Sequence, residues 1–236
     1  MKKILLTGSS NGFGKEIRNK FLNNKYKVYS LTKNKDNNLD KKLNNYFPEY
    51  VNFNNFKNLN IKLDKVIKKN TKFDFIILNA GIIGPLVPTK YLRIDELKKV
   101  LNINVYSNKI IIDKIIEKKI KFKSIIAISS GAAIASKFGW YSYSASKALL
   151  KIMFENYALE NNKLHFINYA PGIIDTNMQK IIRATSSTKI PSVKKFKLLY
   201  KNKELQTPKD AANTLYLNLK KISKLKSGMF IDARTF

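Results

Sequence analysis

Lys3-Ile4-Leu5-Leu6-Thr7-Gly8-Ser9-Ser10-Asn11-Gly12-Phe13-Gly14 is the stretch whose reading decides the fold. Its first half is a short apolar run without polar alternation, the pattern of a parallel strand buried on both faces. Gly8 stops that run. Phe13, Ile17, Phe21 and Leu22 then recur at helical spacing across residues 12–24, so the glycines join a strand to a helix. At such a junction Gly8 makes the tight turn, Gly12 lets the backbone approach a pyrophosphate, and Gly14 brings the helix close to the sheet. The free N–H groups at the helix start, at the positive end of its dipole, form a cradle for phosphate.

Working outward, the pattern repeats. Lys27-Val28-Tyr29-Ser30-Leu31 reads as a second strand and Tyr50-Val51-Asn52-Phe53 as a third. Asp74-Phe75-Ile76-Ile77-Leu78, Ser124-Ile125-Ile126-Ala127-Ile128, Leu164-His165-Phe166-Ile167-Asn168 and Met229-Phe230-Ile231 complete a set of about seven. Helices are expected over residues 94–119 and 142–161, and Thr207-Pro208 has the cap-then-proline order of a further helix start. Apolar strands alternating with helices predict an α/β fold, a Rossmann-type doubly wound parallel sheet with helices on both faces. No repeat or linker divides the chain, so residues 1–236 are expected to form one domain.

Composition narrows the function. The 236 residues are 44% hydrophobic, enough for a core, and contain no Cys, which excludes disulfides, thiolate–metal sites and a Cys nucleophile. No apolar run reaches the ~20 residues of a membrane span, and the apolar stretch after Met1-Lys2-Lys3 is too short for a secretory signal. A cytoplasmic protein is expected, without membrane contact. The net charge of +29 invites a nucleic-acid reading. The excess is spread along the chain, however, and is almost all Lys, with Arg only at 18, 93, 183 and 234. Phosphate and base readers favour the Arg fork; a solvated surface with no specific nucleic acid is the expectation.

The second strand ends Leu31-Thr32-Lys33-Asn34, with no carboxylate before Asp36. An NAD site places an acid there for the ribose hydroxyls. Thr32 and Lys33 suit the 2′-phosphate of NADP better, so NADP is expected over NAD.

The densest chemistry is Ser129-Ser130 after the fifth strand, followed by Tyr143-Ser144-Ala145-Ser146-Lys147. Spacing i, i+4 puts Tyr143 and Lys147 on one helix face. An ammonium there is expected to lower the phenol's pKa and make it a usable acid. Tyr141 has Ala145 at the same spacing. Ser130, at the carboxyl edge of the sheet, is placed to hold a carbonyl oxygen.

With these motifs in order, the chain is similar to the short-chain dehydrogenase/reductase family over nearly its whole length. Residues 7–14 match the family's TGxxxGxG motif, Asn79-Ala80-Gly81 its NAG motif, and Asn104 its catalytic Asn. Ser130, Tyr143 and Lys147 match its active-site Ser, Tyr and Lys, and Pro171-Gly172-Ile173-Ile174-Asp175-Thr176 the segment over the nicotinamide. Gly139-Trp140-Tyr141 and Asp175-Thr176-Asn177-Met178-Gln179 resemble the sepiapterin reductase and benzil reductase branch, which reduces one carbonyl of a vicinal dicarbonyl. The chain departs from the family pattern at Leu78, before the NAG motif, and at Asn52 and Asn54, where an Asp near the adenine is common.

The resemblance implies NADP-dependent reduction of a small carbonyl substrate. Tyr143 would give the proton, Ser130 hold the oxygen, Lys147 hold the ribose, and Asn104 position a proton-relay water. Cofactor contacts are implied at Gly8, Ser10, Asn11, Gly12, Phe13, Gly14, Asn79, Ala80, Gly81, Tyr143, Lys147, Pro171, Gly172, Ile174 and Thr176, beside Thr32 and Lys33. Alternative substrates are 3-oxoacyl thioesters and sugar-linked ketones; alternative functions are a non-catalytic NADP-binding scaffold and nucleic-acid binding.

Ile110, Ile111, Ile112, Ile115 and Ile116 leave the 94–119 helix little polar face. Such a helix needs two covers, and a homodimer or homotetramer through the 94–119 and 142–161 helices is expected. Residues 175–206 are long for a connection and are read as a lid. Its lysines at 194, 195, 197, 201 and 203 could steer an anionic substrate, but a solvated face is the expectation. His165, the one His, is expected to be a hydrogen-bonded core residue, and no metal site is expected.

Overall fold

The computed structural model describes residues 1–35 and 43–236; Asp36 lies outside the described residues. Seven strands form one parallel sheet in the order β3-β2-β1-β4-β5-β6-β7: β1 (Lys3–Thr7), β2 (Lys27–Thr32), β3 (Tyr46–Tyr50), β4 (Phe75–Leu78), β5 (Ser124–Ile128), β6 (Phe166–Ala170) and β7 (Phe230–Asp232). Leu5 pairs with Tyr29 on one side and Ile76 on the other, so the first strand is central. The strand order reverses there, and ligands of such sheets bind beyond the carboxyl ends at that reversal.

Helices α1 (Gly12–Asn23) and α8 (Pro208–Ile222) cover one face, packing Phe13, Ile17, Phe21, Leu215 and Leu219 against Ile4, Leu6 and Val28. Thr207 caps α8 by accepting from Asp210 N, as its sequence order predicts. The opposite face carries α2 (Phe56–Lys68), α3 (Ile94–Leu101), α4 (Ser107–Glu117) and α5 (Tyr141–Glu160). Two short helices, α6 (Asn177–Ala184) and α7 (Val193–Lys201), occupy the expected lid segment. Among the described residues no helix is long and apolar enough to cross a membrane.

Three expectations are corrected. The third strand is Tyr46–Tyr50, not residues 50–53. Its Pro48 and Glu49 hide it in the sequence, and the sheet tolerates them because β3 is an edge strand; Val51 and Phe53 are buried in the connection that follows. The 94–119 helix is interrupted by a π-helical turn, Asn102–Tyr106. Widened turns free backbone carbonyls, and here the Ser107 hydroxyl donates to Ile103 O at 2.8 Å and Asn108 Nδ2 to Asn104 O at 2.8 Å. The isoleucine run also finds its second cover within its own chain. Ile111, Ile112 and Ile115 are fully buried, Ile110 and Ile116 pack on the same cluster, and α2 lies alongside, tied by Lys114 to Asp64 at 2.9 Å.

Candidate active site

The β1–α1 turn has the geometry its glycines predict. Gly8 sits at φ +72°, left-handed backbone that favours glycine. A Cβ on Gly14 would lie 2.0 Å from Gly8 O, so only glycine lets α1 start this close to the strand. Asn79 reinforces the turn: its Nδ2 donates to Gly8 O at 2.9 Å and Thr7 O at 3.1 Å, while Thr7 Oγ1 accepts from Asn79 N and Ala80 N at 2.9 Å. The NAG segment thereby locks the end of β4 to the turn. Asn11, at the N-cap, makes no side-chain cap bond, and the first turn of α1 holds no acid. Its donors and dipole are available to an anion.

Beside this turn opens a cavity of about 1000 Å³, at the upper end of the ~300–1,000 Å³ of ligand pockets. Its wall includes Gly8, Ser10, Asn11, Gly12, Phe13 and Gly14 from the turn, Lys33 and Asn34 after β2, and Asn79, Ala80 and Gly81 after β4. Ser130, Tyr143 and Lys147 line it, as do Pro171, Gly172, Ile174 and Thr176 after β6. Glycine-edged and open beside an uncapped helix start, the cavity has the lining and volume for a nicotinamide dinucleotide. Two expected residues are not on the wall. Thr32, the last residue of β2, is 1% exposed with its hydroxyl buried. Asn104 is also fully buried, below the floor: its Oδ1 accepts from Ile82 N at 2.8 Å, and its Nδ2 donates to Ile82 O and Ser146 Oγ at 2.9 Å. Asn104 therefore fixes the Gly81–Ile82 backbone and α5 rather than presenting its amide to a ligand.

Burial governs the reacting groups. The Tyr143 phenol is pushed up to about 12, chiefly by burial, with hydrogen bonding to Ser130 opposing the rise. Lys147 is lowered to about 8, also by burial. Its Nζ donates to Ile128 O at 2.7 Å and lies 5.7 Å from the centre of the Tyr143 ring. The sequence leads one to expect a phenol lowered by the ammonium; in the fold burial outweighs that pull, and the net shift of the phenol is upward. Ser130 Oγ accepts from Ala132 N at 3.1 Å, capping a short turn.

Helix α7 borders this end. Trp140 stacks on Phe196 of α7 at 5.2 Å, stands edge-on to Tyr143 at 6.1 Å, and donates from Nε1 to Ser192 Oγ at 3.0 Å. Tyr141 is exposed and outside the wall. Sequence reasoning missed Lys99, Lys137, Phe196, Asp232 and Arg234, which also line the cavity, and left Lys195 on a solvated face. Gln179 lines it too, with a buried Oε1 lacking a protein partner. His165 bridges Ser124 Oγ at 2.7 Å and Leu225 O at 2.8 Å, away from the site.

Comparison with known proteins agrees with this geometry. The short chain dehydrogenase family profile matches residues 2–187. Benzil reductase ((S)-benzoin forming) of Bacillus subtilis is 25% identical over 245 residues, spanning the whole of both chains. Bovine sepiapterin reductase is 36% identical over 111 residues, 47% of this chain and 40% of its own. A short chain dehydrogenase/reductase from Saccharomyces cerevisiae superposes with a TM-score of 0.88 at 24% identity, covering 99% of this chain and 96% of the other. The chain belongs to the short-chain dehydrogenase family and is one of its oxidoreductase enzymes.

Proposed function

We propose that the protein reduces a ketone, or one carbonyl of a vicinal dicarbonyl, to the alcohol with NADPH. A bound reduced nicotinamide supplies the hydride that reaches the carbonyl carbon. The chain's residues do the rest. The Ser130 hydroxyl holds the carbonyl oxygen, and the Tyr143 phenol gives that oxygen a proton as charge develops. Lys147 holds the nicotinamide ribose and, as a buried cation, favours the phenolate left behind. Asn104 acts through the backbone it clamps, as a positioning residue.

One observation carries the reductive direction: a relative that spans the whole of this chain is a benzil reductase, named for forming benzoin. Benzil reductase as a full-length relative supports the dicarbonyl. The described wall after β2 presents Lys33 and Asn34 rather than a carboxylate, which supports NADP over NAD. Wall residues run from Gly8 to Arg234, which supports reading the chain as one domain.

We also infer that the chain assembles with copies of itself, on a different surface from the isoleucine run. Between α4 and α5 a groove is lined by Val105, Tyr106, Leu149, Ile152 and Met153, with Leu149 and Ile152 40% and 51% exposed. Adjoining apolar side chains of this kind mark an interface.

The test is NADPH oxidation with 1-phenyl-1,2-propanedione. The expected result is hydroxyketone product and at least ~10-fold higher kcat/KM with NADPH than with NADH. Equal use of the two would remove the NADP assignment, and no oxidation with either would remove the reductase reading.

A further inference from the structure

The lid end of the cavity carries charge that the proposed chemistry does not use. Lys137, in the loop before α5, is half-buried with Nζ 5.6 Å from the centre of the Trp140 ring. That ring faces Phe196, and Lys195 precedes Phe196 on α7. Arg234, beyond β7, lies over Gly172, where a glycine Cβ would come 3.4 Å from its Cγ. Burial, and after it the like charges of Lys195 and Arg234, hold the Lys137 pKa below the usual lysine value.

Counter-charge is scarce. Asp232 is the one acid on the described cavity wall, and Arg234 grips it with Nε at 2.9 Å and Nη2 at 2.5 Å. No described carboxylate forms an ion pair with Lys137 or Lys195. A Lys-rich composition accounts for lysines in water. It does not account for one half-buried against an indole, facing two like charges, with no described carboxylate paired to it. Burial and like charge both oppose its protonation, and a bound anion would reverse both.

We propose that the substrate carries an anionic oxygen group, a carboxylate or a phosphate, held by Lys137 and Lys195 while its carbonyl faces Tyr143. The proposal rests on the reductase reading and adds the substrate's charge. Trp140 ties the two sites together, since its ring contacts both Lys137 and Tyr143. The aromatic body of such a substrate would lie along the apolar wall formed by Trp140, Ile83 and Phe196.

The experiment uses three 1-phenyl-1,2-propanediones that differ only at the para position: a carboxylate, a phosphate monoester, and the methyl ester of the carboxylate. With NADPH at low salt, one or both anions should show kcat/KM at least ~10-fold above the neutral ester. The better anion identifies the group. In Lys137→Met the preference should fall to within about twofold, whereas Lys137→Arg should retain it, separating lost charge from lost packing. Raising the salt should narrow the preference in wild type. Reduction of all three probes at similar kcat/KM, or a preference unchanged in Lys137→Met, overturns the proposal with the reductase reading intact. Turnover of none of the three overturns the reductase reading and the proposal with it.

Discussion

Two side chains one helical turn apart, Tyr143 and Lys147, were legible as a pair because i, i+4 spacing places them on one face of α5. What spacing could not show was the depth at which the fold holds them. Tyr143 is 7% and Lys147 5% exposed, and desolvation moves the two in opposite directions, the phenol up and the ammonium down. A pH dependence follows. Below about 8 Lys147 is charged and favours the phenolate that forms on proton donation; above it that support is lost. Reductive kcat/KM should therefore fall above about pH 8, by up to tenfold per unit. Stability moves the other way. The unfolded chain keeps the lysine proton to ~10.4, so between about 8 and that value it binds more protons than the fold. Wild type should gain stability across this window relative to Lys147→Met. Melting curves of the two proteins at pH 7.5, 9 and 10.5 read the trend; a constant difference would contradict the burial.

Among the elements, β5 matches its expected limits, and α1 and α5 match within a residue or two. One buried helix was not legible in the sequence. Helix α2 carries Leu59, Leu63, Val66 and Ile67 on its buried face, but lysines and asparagines crowd the rest. α2 is the second cover that the isoleucines of α4 require. The surface still without a cover is the α4–α5 groove. Its edge is polar, with Lys109 bonded to Asp113 at 2.5 Å and the Tyr157 hydroxyl donating to the same carboxylate. Ile152→Asp places a charge in the apolar centre, where desolvating it is costly. Light scattering should show an oligomer for wild type and a smaller species for the variant, at unchanged helix content. A wild-type monomer at tens of micromolar would contradict the interface.

At the scale of the whole molecule, the parallel sheet gathers the carboxyl ends of its strands along one edge, so segments distant in sequence meet in one cavity. The glycine turn, Ser130 and Tyr143 carried a local signal in the sequence, the NAG segment and Pro171-Gly172 were implied by the family resemblance, and all of them line the cavity. Lys137 and Arg234 had none, since each is an ordinary basic residue in a chain with 45 of them; only the tertiary fold brings them to one cavity wall with Lys195. Thr32 and Asn104 show the converse, residues with a signal that the packing turns inward. The account stands on a buried phenol that hands its proton to a carbonyl oxygen beside the nicotinamide. The measurement closest to that claim is Tyr143→Phe, assayed by NADPH oxidation with 1-phenyl-1,2-propanedione, with NADPH affinity followed by nucleotide fluorescence. Affinity within a few-fold of wild type and turnover lower by at least ~100-fold are predicted; turnover near wild type with the cofactor still bound would contradict it.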